Sequence, residues 1–434
     1  MNFNGAIERG RKHFAPSRAP FSMTVGGETI YVATSAQDVN TIWKSSAAIS
    51  LDPISVDMYK QGGLLHFTTP FDLHPHAQYN IKNPKPLSPN NQVLDYHRQQ
   101  NTLGPNLEEM MSNHIVPSLF KHLDFAFLKT AQELSYPTVL THNGDDSFTI
   151  SLLGLCISTF IRAETDAFWG PALLRLHPEL IDAFIDWEYV NWKLLFGLPH
   201  MFSKDMLAAR DTIMGCFADY FTLPREKREG ASFFVTETES TMREVGFGDE
   251  EMGKFFLFHY WATVGNVYKL AFWLTAYLVQ DQELVERIRE EVSPAVSLDG
   301  TVDETFLQTK CSQLDALINE ALRLTVTSPL GRVVMEDTVM GGKVLKKGHK
   351  IMLSIQGMHH DPSLWGPESS SLNPTRFLEN PKMAKNPTFR PWGGGHSLCP
   401  GRHLARRSVM AFVAVLLKKY EVGVEGRGFP RADA

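Results

Sequence analysis

Residues 389–402, FRPWGGGHSLCPGR, contain the side chain with the clearest chemical potential, the thiol of Cys399. The three glycines at 393–395 permit backbone conformations that bring the chain close to a flat ligand. Gly401 then opens an arginine-rich helix, and a helix N-terminus favours a thiolate that a bound metal keeps deprotonated. The N–H groups of Gly401 and Arg402 are available to donate to the sulfur. The pattern predicts a thiolate metal ligand; a buried structural cysteine in a glycine-rich turn is the alternative.

A second pattern, Glu320-Ala-Leu-Arg323, lies on a stretch whose apolar residues recur at helical spacing. The i, i+3 spacing puts both charges on one helix face, where they can form a charge-assisted hydrogen bond. A solvent-exposed pair of this kind contributes only about 0.3 kcal/mol. The apolar surroundings indicate partial burial and a third partner, and Arg376 in Asn-Pro-Thr-Arg-Phe is the candidate.

The W-G-x-G-x-x-x-C-P-G-R pattern of residues 392–402, with the Glu320, Arg323 and Arg376 patterns before it in order and spacing, resembles the cytochrome P-450 superfamily. The resemblance covers the chain from about residue 21 to its end. It implies a mainly α fold with a large helical domain and a small β-rich portion. It also implies heme b as the cofactor, with Cys399 as the axial thiolate ligand of the iron and the three charged residues as a buried triad that braces the heme-binding loop.

The apolar run 255–279 resembles the superfamily's central helix over the distal heme face, where an acid followed by an alcohol normally helps to deliver protons. Gly265 replaces the acid and Asn266 the alcohol, so Asn266, Gly265 and Thr263 are the candidate catalytic residues. An amide can hydrogen-bond a distal oxygen or a water that relays protons, and a satisfied polar residue in a helix groove is the alternative. The segment 261–273 together with Trp392 resembles the branch of prostacyclin synthase and the sterol 7α- and 12α-hydroxylases.

The resemblance also assigns residues to the cofactor and the substrate. Arg332 corresponds to a strand residue that meets a heme propionate, with a solvated strand arginine as the alternative. His396 is expected to substitute for a cation that the family often has at Ser397, and no Trp-x-x-x-Arg counterpart is found on an early helix. Further candidates at the cofactor are Trp392, Gly393 and Gly401, and those at the substrate are Trp261, Ala262, Thr327 and Leu330.

The elements that must position these residues form one domain over residues 1–434. Strand-like segments near 21–34 and 325–356 supply the β-rich portion, a helical body covers 105–324, and the heme-binding loop is 389–402. The run 255–279 is long enough to span a bilayer, but its polar residues favour a buried central helix. The histidines at 66, 74, 76, 359 and 360 are expected to be solvated in loops.

Composition narrows the class of protein. With 43% hydrophobic and 21% charged residues, the disordered and collagen-like classes are excluded. The net charge of −6 argues against nucleic-acid binding through a basic field over the whole domain. The four cysteines are far apart, which predicts neither a disulfide framework nor a zinc site and favours a reducing compartment.

These expectations together predict a monooxygenase that oxidises a lipophilic molecule, such as a terpenoid, sterol or polyketide, with electrons from NADPH-cytochrome P-450 reductase. A heme-thiolate isomerase or dehydratase acting on a peroxide without external electrons is the first alternative. The N-terminus has no apolar segment, and the family's membrane anchor and C-terminal β-hairpin are not evident, so an inactive heme-binding fragment is the second. Full-length relatives are expected on the cytosolic face of the endoplasmic reticulum membrane.

Overall fold

The computed structural model describes residues 3–14, 19–45, 47–64, 88–125, 140–144, 147–297, 300–426 and 428–430. The loop histidines at positions 66, 74 and 76 lie outside these residues. Helices dominate the described chain, and the predicted mainly α class is confirmed.

The helices are numbered in chain order. They are α1 (Phe3–His13), α2 (Ala36–Lys44), α3 (Asp52–Gln61), α4 (Pro89–Asn101), α5 (Pro105–Met110), α6 (Val116–His122), α7 (Leu152–Trp169), α8 (Pro171–Leu176), α9 (Leu180–Val190), α10 (Trp192–Leu195), α11 (Lys204–Thr222), α12 (Phe233–Glu244), α13 (Asp249–Val264), α14 (Val267–Leu278), α15 (Gln282–Val292), α16 (Glu304–Lys310), α17 (Ser312–Thr325), α18 (Ile355–His359), α19 (Pro362–Trp365), α20 (Thr375–Glu379) and α21 (Arg402–Lys419). A π-helical turn, Met111–Ile115, joins α5 to α6. Short 3₁₀ turns cover His200–Phe202, Arg225–Lys227, Ser293–Ala295, Pro381–Lys385 and Gly395–Ser397.

Strands from both ends of the chain form one sheet. The strands are β1 (Phe21–Val25), β2 (Glu28–Ala33), β3 (Ile49–Ser50), β4 (Leu140–His142), β5 (Phe148–Ile150), β6 (Leu330–Val334), β7 (Thr338–Met340), β8 (Lys343–Leu345) and β9 (Lys350–Leu353). The main sheet has the order β1-β2-β9-β6-β3; β2 pairs with β9 in parallel, and the other pairs are antiparallel. A Gly-Gly turn at positive φ, Gly26 and Gly27, connects β1 to β2, as the sequence predicts.

A separate hairpin, β4 with β5, interrupts the region that the sequence predicts as a helical body. Leu140 pairs with Ile150, and His142 pairs with Phe148. Gly144 in the connection has φ 99°, a left-handed conformation that glycine adopts at little cost. The interval between α6 and α7 therefore contains β structure as well as a turn.

The apolar run 255–279 is divided between two helices, α13 and α14. Helix α13 ends at Val264, and Asn266, with φ −125° and ψ −36°, is the residue from which α14 starts. The side chains before and after this break are mostly buried, so the run lies in the core as predicted, but as a broken helix. None of the described helices combines the length and the apolar character needed to cross a bilayer.

Helix α17 is amphipathic. The apolar residues that recur at helical spacing beside Glu320 and Arg323 are Leu314, Leu317, Ile318 and Ala321, and all four are fully buried. The buried face packs in the same core as α14 and α21. This packing also carries Glu320 and Arg323 into the interior.

Candidate functional site

Cys399 lies between the 3₁₀ turn Gly395–Ser397 and the first residue of α21. Its backbone N–H donates to the carbonyl of Trp392 over 2.9 Å, which closes the loop on itself. Burial raises the pKa of the Cys399 thiol above its ordinary value of 9.0, and the N–H groups of Gly401 and Arg402 and the charge of Arg402 oppose this shift. An isolated thiol here keeps its proton at neutral pH, whereas a cationic metal would stabilise the thiolate that these donors favour.

The glycines of the loop are required by a tryptophan on α2 rather than by a ligand alone. A Cβ on Gly394 would lie 2.7 Å from the ring of Trp43, and one on Gly395 would lie 2.7 Å from the carbonyl of Trp43. Gly393 and Gly395 also have φ of 74° and 59°. The close backbone approach expected for a flat ligand is therefore made in part to Trp43.

Helix α2 holds the beginning of the loop through a second contact. The Arg390 guanidinium lies over the Trp43 ring, 5.6 Å from its centroid, and donates to Oδ1 of Asn40 over 2.7 Å. The N-terminal part of the chain thus fixes the conformation of the loop that contains the cysteine.

The guanidinium of Arg332, on β6, points to the same loop. It donates to the hydroxyl of Ser397 and, over 2.6 Å, to the carbonyl of Gly331. Arg332 is only 6% exposed, so the alternative of a solvated strand arginine is wrong. Burial lowers the pKa of the Arg332 guanidinium, and the charge of Asp52 partly opposes this shift. Among the described residues, no carboxylate forms an ion pair with Arg332. A buried cation without such a partner is suited to an anionic group of a bound cofactor.

Arg98, on α4, also reaches the loop and was not predicted from the sequence. It donates to the carbonyl of His396 over 2.9 Å and pairs with Asp95 at 2.6 Å. Leu94 stands where a Trp-x-x-x-Arg motif has its tryptophan, so only the arginine of that motif is present to signal the position. The imidazole of His396 is exposed, and its role at the cofactor stays a prediction.

Glu320, Arg323 and Arg376 meet in one cluster. Arg323 donates to both carboxylate oxygens of Glu320 at 2.8 Å each, and Arg376 donates to Oε1 at 2.5 Å. Neither Glu320 nor Arg323 is exposed to solvent. Arg323 also donates to the carbonyls of His359 and Ser369, at 2.6 and 2.5 Å, so the cluster connects α17 to the end of α18 and to the segment that follows α19.

His359 connects this cluster to the cysteine loop. The expectation of a solvated loop histidine is wrong for this residue, because His359 is fully buried. Its Nε2 accepts the backbone N–H of Arg390 over 3.0 Å. Burial lowers the pKa of His359 to about 3, which keeps the ring neutral and Nε2 able to accept.

At the break between α13 and α14, position 265 has no room for any side chain, an acid included. A Cβ on Gly265 would lie 2.6 Å from the carbonyl of Trp261 and 2.8 Å from its Cδ1. On the same helices, Ala262 and Asn266 are exposed, whereas most of their neighbours are buried. The hydroxyl of Thr263 donates to the carbonyl of His259 over 2.8 Å and is thereby occupied within the helix.

The remaining substrate candidates lie near the cysteine loop or the break. Thr327 is partly exposed between α17 and β6, and Leu330 begins β6, with its Cδ1 3.8 Å from where a Cβ on Gly393 would stand. Trp261 packs edge-on against Trp187 of α9 at 5.4 Å between ring centroids. The structure thus provides one partly exposed thiol, Cys399, in a braced loop. It also provides an exposed face at the break between α13 and α14, formed by Ala262 and Asn266 and here called the open face.

The comparisons with known proteins agree on one family. The family model described as Cytochrome P-450 matches residues 183–433. The chain is 25% identical over 290 residues to the cytochrome P-450 monooxygenase nodJ of Hypoxylon pulicicidum, covering 62% of this chain and 56% of that protein. It is 26% identical over 273 residues to the cytochrome P-450 monooxygenase poxD of Penicillium oxalicum, covering 61% and 56%.

A third relative is the 5-beta-cholestane-3-alpha,7-alpha-diol 12-alpha-hydroxylase of Sus scrofa. It is 26% identical over 219 residues, which cover 45% of this chain and 43% of that protein. The chain spans about half the length of the curated relatives described here.

Proposed function

The chain belongs to the cytochrome P-450 family, and on this premise we propose that it is a heme-thiolate monooxygenase that oxidises a lipophilic small molecule. The observation that carries the proposal is the environment of Cys399. Its sulfur receives the N–H groups of Gly401 and Arg402, in a loop braced on one side by Trp43 and on the other by the Glu320 cluster. Thiolate-ligated heme supplies the oxygen chemistry in this family.

The residues of the loop fit a heme b with an axial ligand from Cys399. Trp392, Gly393 and Gly401 would border the cofactor, and the buried cation Arg332, together with Arg98 and His396, would face its carboxylates. The Glu320, Arg323 and Arg376 cluster would keep the loop in place through the bond between His359 and Arg390. Each of these residues binds or positions; none of them is required to transfer a proton.

The open face at the helix break would lie on the other side of the cofactor. There, Ala262, Trp261, Thr327 and Leu330 would contact the substrate, and Asn266 would orient a substrate oxygen or a water through its amide, with Gly265 and Thr263 shaping the break. The mainly apolar or small character of these residues supports a lipophilic substrate. The relatives include two fungal monooxygenases and a sterol hydroxylase, and the last of these supports the sterol-hydroxylase branch and a sterol among the proposed terpenoid, sterol and polyketide substrates.

The proposed partners follow from the same family. Electrons would come from NADPH-cytochrome P-450 reductase, and the reaction would take place at the cytosolic face of the endoplasmic reticulum membrane, as expected for full-length relatives. A peroxide isomerase or dehydratase is the second candidate, because the exposed residue at the break is the amide of Asn266 rather than an acid and an alcohol.

Two measurements test the proposal. Heme-loaded protein, reduced and exposed to carbon monoxide, should show the red-shifted Soret band of a thiolate ligand. The band should disappear in Cys399→Ser and persist in Cys311→Ser, whose thiol is buried elsewhere and donates to the carbonyl of Glu291. A thiolate band that survives in Cys399→Ser would overturn the assignment. Turnover that requires reductase and NADPH would then support the monooxygenase, and turnover of a peroxide without them would support the isomerase.

A further inference from the structure

Glu188, on α9, places a carboxylate at the break between α13 and α14. The ammonium of Lys269 on α14 forms an ion pair with Oε1 of Glu188, and Nδ2 of Asn191 donates to Oε2 over 3.0 Å. The side chain of Trp261 on α13 is a further hydrogen-bond donor to the same carboxylate. The Glu188 side chain is 12% exposed, so four polar groups meet in a largely buried position.

These contacts bridge the two halves of the broken helix. Trp261 precedes Gly265 by one turn, and Lys269 follows Asn266 by three residues. One carboxylate from a neighbouring helix therefore holds a side chain from each half. The edge-on contact between Trp187 on α9 and Trp261 on α13 is a second contact that holds these two helices together.

Lys269 links the carboxylate to the open face. Asn266 and Lys269 are three residues apart at the start of α14 and so lie on neighbouring parts of one side of that helix. Ala262 and Asn266 are exposed, and the Lys269 side chain is 44% exposed. The ion pair thus extends from a buried carboxylate to the side of the helices that is open.

The other polar groups near the break are poorly suited to exchange protons. The amide of Asn266 does not titrate near neutral pH, and the hydroxyl of Thr263 donates within its helix. Burial, together with the nearby charge of Glu188, raises the pKa of Tyr268, so its hydroxyl stays protonated near neutral pH. His259 is buried and bonded to Tyr59 and His97, at 2.9 and 3.0 Å, and burial lowers its pKa to about 3.

Glu188 differs from these groups. Burial raises its pKa above the ordinary value of 4.5, while Lys269, Trp261 and Asn191 oppose the shift. A carboxyl with this balance can hold a proton closer to neutrality than an exposed one can.

Resting on the monooxygenase function proposed above, we propose that Glu188, paired with Lys269, is the proton-holding group of the distal site and replaces the acid that Gly265 cannot supply. The Glu188 carboxyl releases its proton to a water on the open face beside Asn266, and the resulting carboxylate takes a proton from solvent along the exposed side of Lys269. Each relay step moves one proton from solvent to the water and returns Glu188 to its starting state, so charge balances and the step itself involves no oxidation or reduction. The two protons consumed in a monooxygenase turnover require two such steps. Lys269 and Trp261 position the carboxyl.

The experiment uses the heme-loaded full chain and three variants, Glu188→Gln, Glu188→Asp and Lys269→Met. The matched control is Asp205→Asn, which breaks an ion pair of 2.6 Å with Lys193 between α10 and α11 and leaves the break untouched. The first readout is the Soret band of the reduced protein with carbon monoxide. If the wild type lacks the thiolate band, the proposed function fails, and this outcome is separate from any failure of the Glu188 assignment.

The second readout is the C–O stretching frequency of bound carbon monoxide, measured by infrared spectroscopy from pH 5 to 9. We expect one titration step in the wild type and in Asp205→Asn, and none in Glu188→Gln. In Lys269→Met the step should move to higher pH, because losing the ammonium favours the protonated carboxyl. A wild type without a step, or the same step in Glu188→Gln, would overturn the proposal.

The third readout is NADPH oxidation with the reductase, without added substrate, in H2O and D2O. Glu188→Gln should be about tenfold slower, with a larger solvent isotope effect, and Glu188→Asp should recover most of the rate. If Glu188→Gln does not retain the thiolate band, Glu188→Asp and Lys269→Met still decide the question through the position of the titration step. Equal rates and isotope effects in all variants contradict the assignment.

Discussion

The backbone N–H of Arg390 donates to Nε2 of His359 over 3.0 Å, and this bond connects the segment before Cys399 to the buried Glu320 cluster. An imidazole accepts such a bond only while that nitrogen is unprotonated. The conformation of the cysteine loop is therefore linked to the protonation of a residue far from it in sequence.

The first prediction concerns pH. The pKa of His359 falls from 6.5 in the unfolded chain to about 3 in the folded protein, so the unfolded state binds more protons between these values. The resulting stabilisation is complete above pH 6.5 and is lost as the pH falls towards 3. In this window His359→Gln, which keeps an acceptor, should reduce the slope of unfolding free energy against pH by about 1.4 kcal/mol per pH unit. Urea denaturation at several pH values measures this, with the exposed His200→Gln as the control; equal slopes in both variants would refute it.

The second prediction concerns the buried carboxylate. Glu320→Ala leaves Arg323 and Arg376 without their shared anion, and breaking a buried ion pair typically costs about 3–5 kcal/mol. Urea denaturation should show a loss of this size. The control is Glu28→Gln, which removes an exposed pair of 3.0 Å with Lys350 and should change stability by less than about 1 kcal/mol. Similar losses in both variants would show that the cluster is not a special determinant of stability.

The third prediction concerns the contact between Gly394 and Trp43. Gly394→Ala should destabilise the protein by about 1–3 kcal/mol, because its methyl group would overlap the indole ring. Combining it with Trp43→Leu should cost less than the sum of the two single changes. Gly215→Ala, inside α11 with open space around it, should instead stabilise by about 0.5–1 kcal/mol. Strict additivity of the two changes at the loop would exclude the predicted overlap.

The fourth prediction concerns retention of the cofactor. If Arg332 faces a heme carboxylate, Arg332→Ala should speed loss of heme to excess apomyoglobin by about 10- to 100-fold, as expected for one charge-assisted hydrogen bond. Arg332→Lys should show a smaller effect because it keeps the charge. Arg287→Ala, on the surface of α15, provides the control. Unchanged heme loss in Arg332→Ala counts against this assignment.

The fifth prediction concerns Asn266. Its exposed amide at the start of α14 is the candidate group for ordering water on the open face. Asn266→Ala should lower the amount of coupled product per NADPH consumed while leaving the thiolate spectrum intact. Unchanged coupling would remove Asn266 from the mechanism. The control is Asn106→Ala on α5, whose amide donates to the carbonyl of Gln99, and it should keep the coupling of the wild type.

Local patterns made part of this site predictable. Glu320 and Arg323 are one helical turn apart, so their spacing alone placed both charges on one face, and the apolar residues beside them indicated that this face is buried. The glycines shortly before Cys399 likewise indicated backbone conformations with positive φ, which Gly393 and Gly395 adopt.

Contacts between distant segments were not predictable in the same way. Trp43 against Gly394, Arg98 at the carbonyl of His396 and Glu188 at the helix break each join elements that are far apart in sequence. No periodicity relates such residues, since tertiary packing alone brings them together. The close approach of Trp261 to Gly265 at the break was likewise not evident from the apolar run.

Trp43 has a consequence for biosynthesis. Trp43 lies on α2, far before the cysteine loop in the sequence, yet it fills the space beside Gly394 and Gly395. Strand β2 likewise pairs with β9, which is equally distant in the sequence. Contacts between such distant segments form only after the intervening polypeptide has been made. The loop can therefore reach its final shape only after the ribosome has released the segment that contains residues 389–402, so heme cannot be held by this loop at an earlier stage of translation.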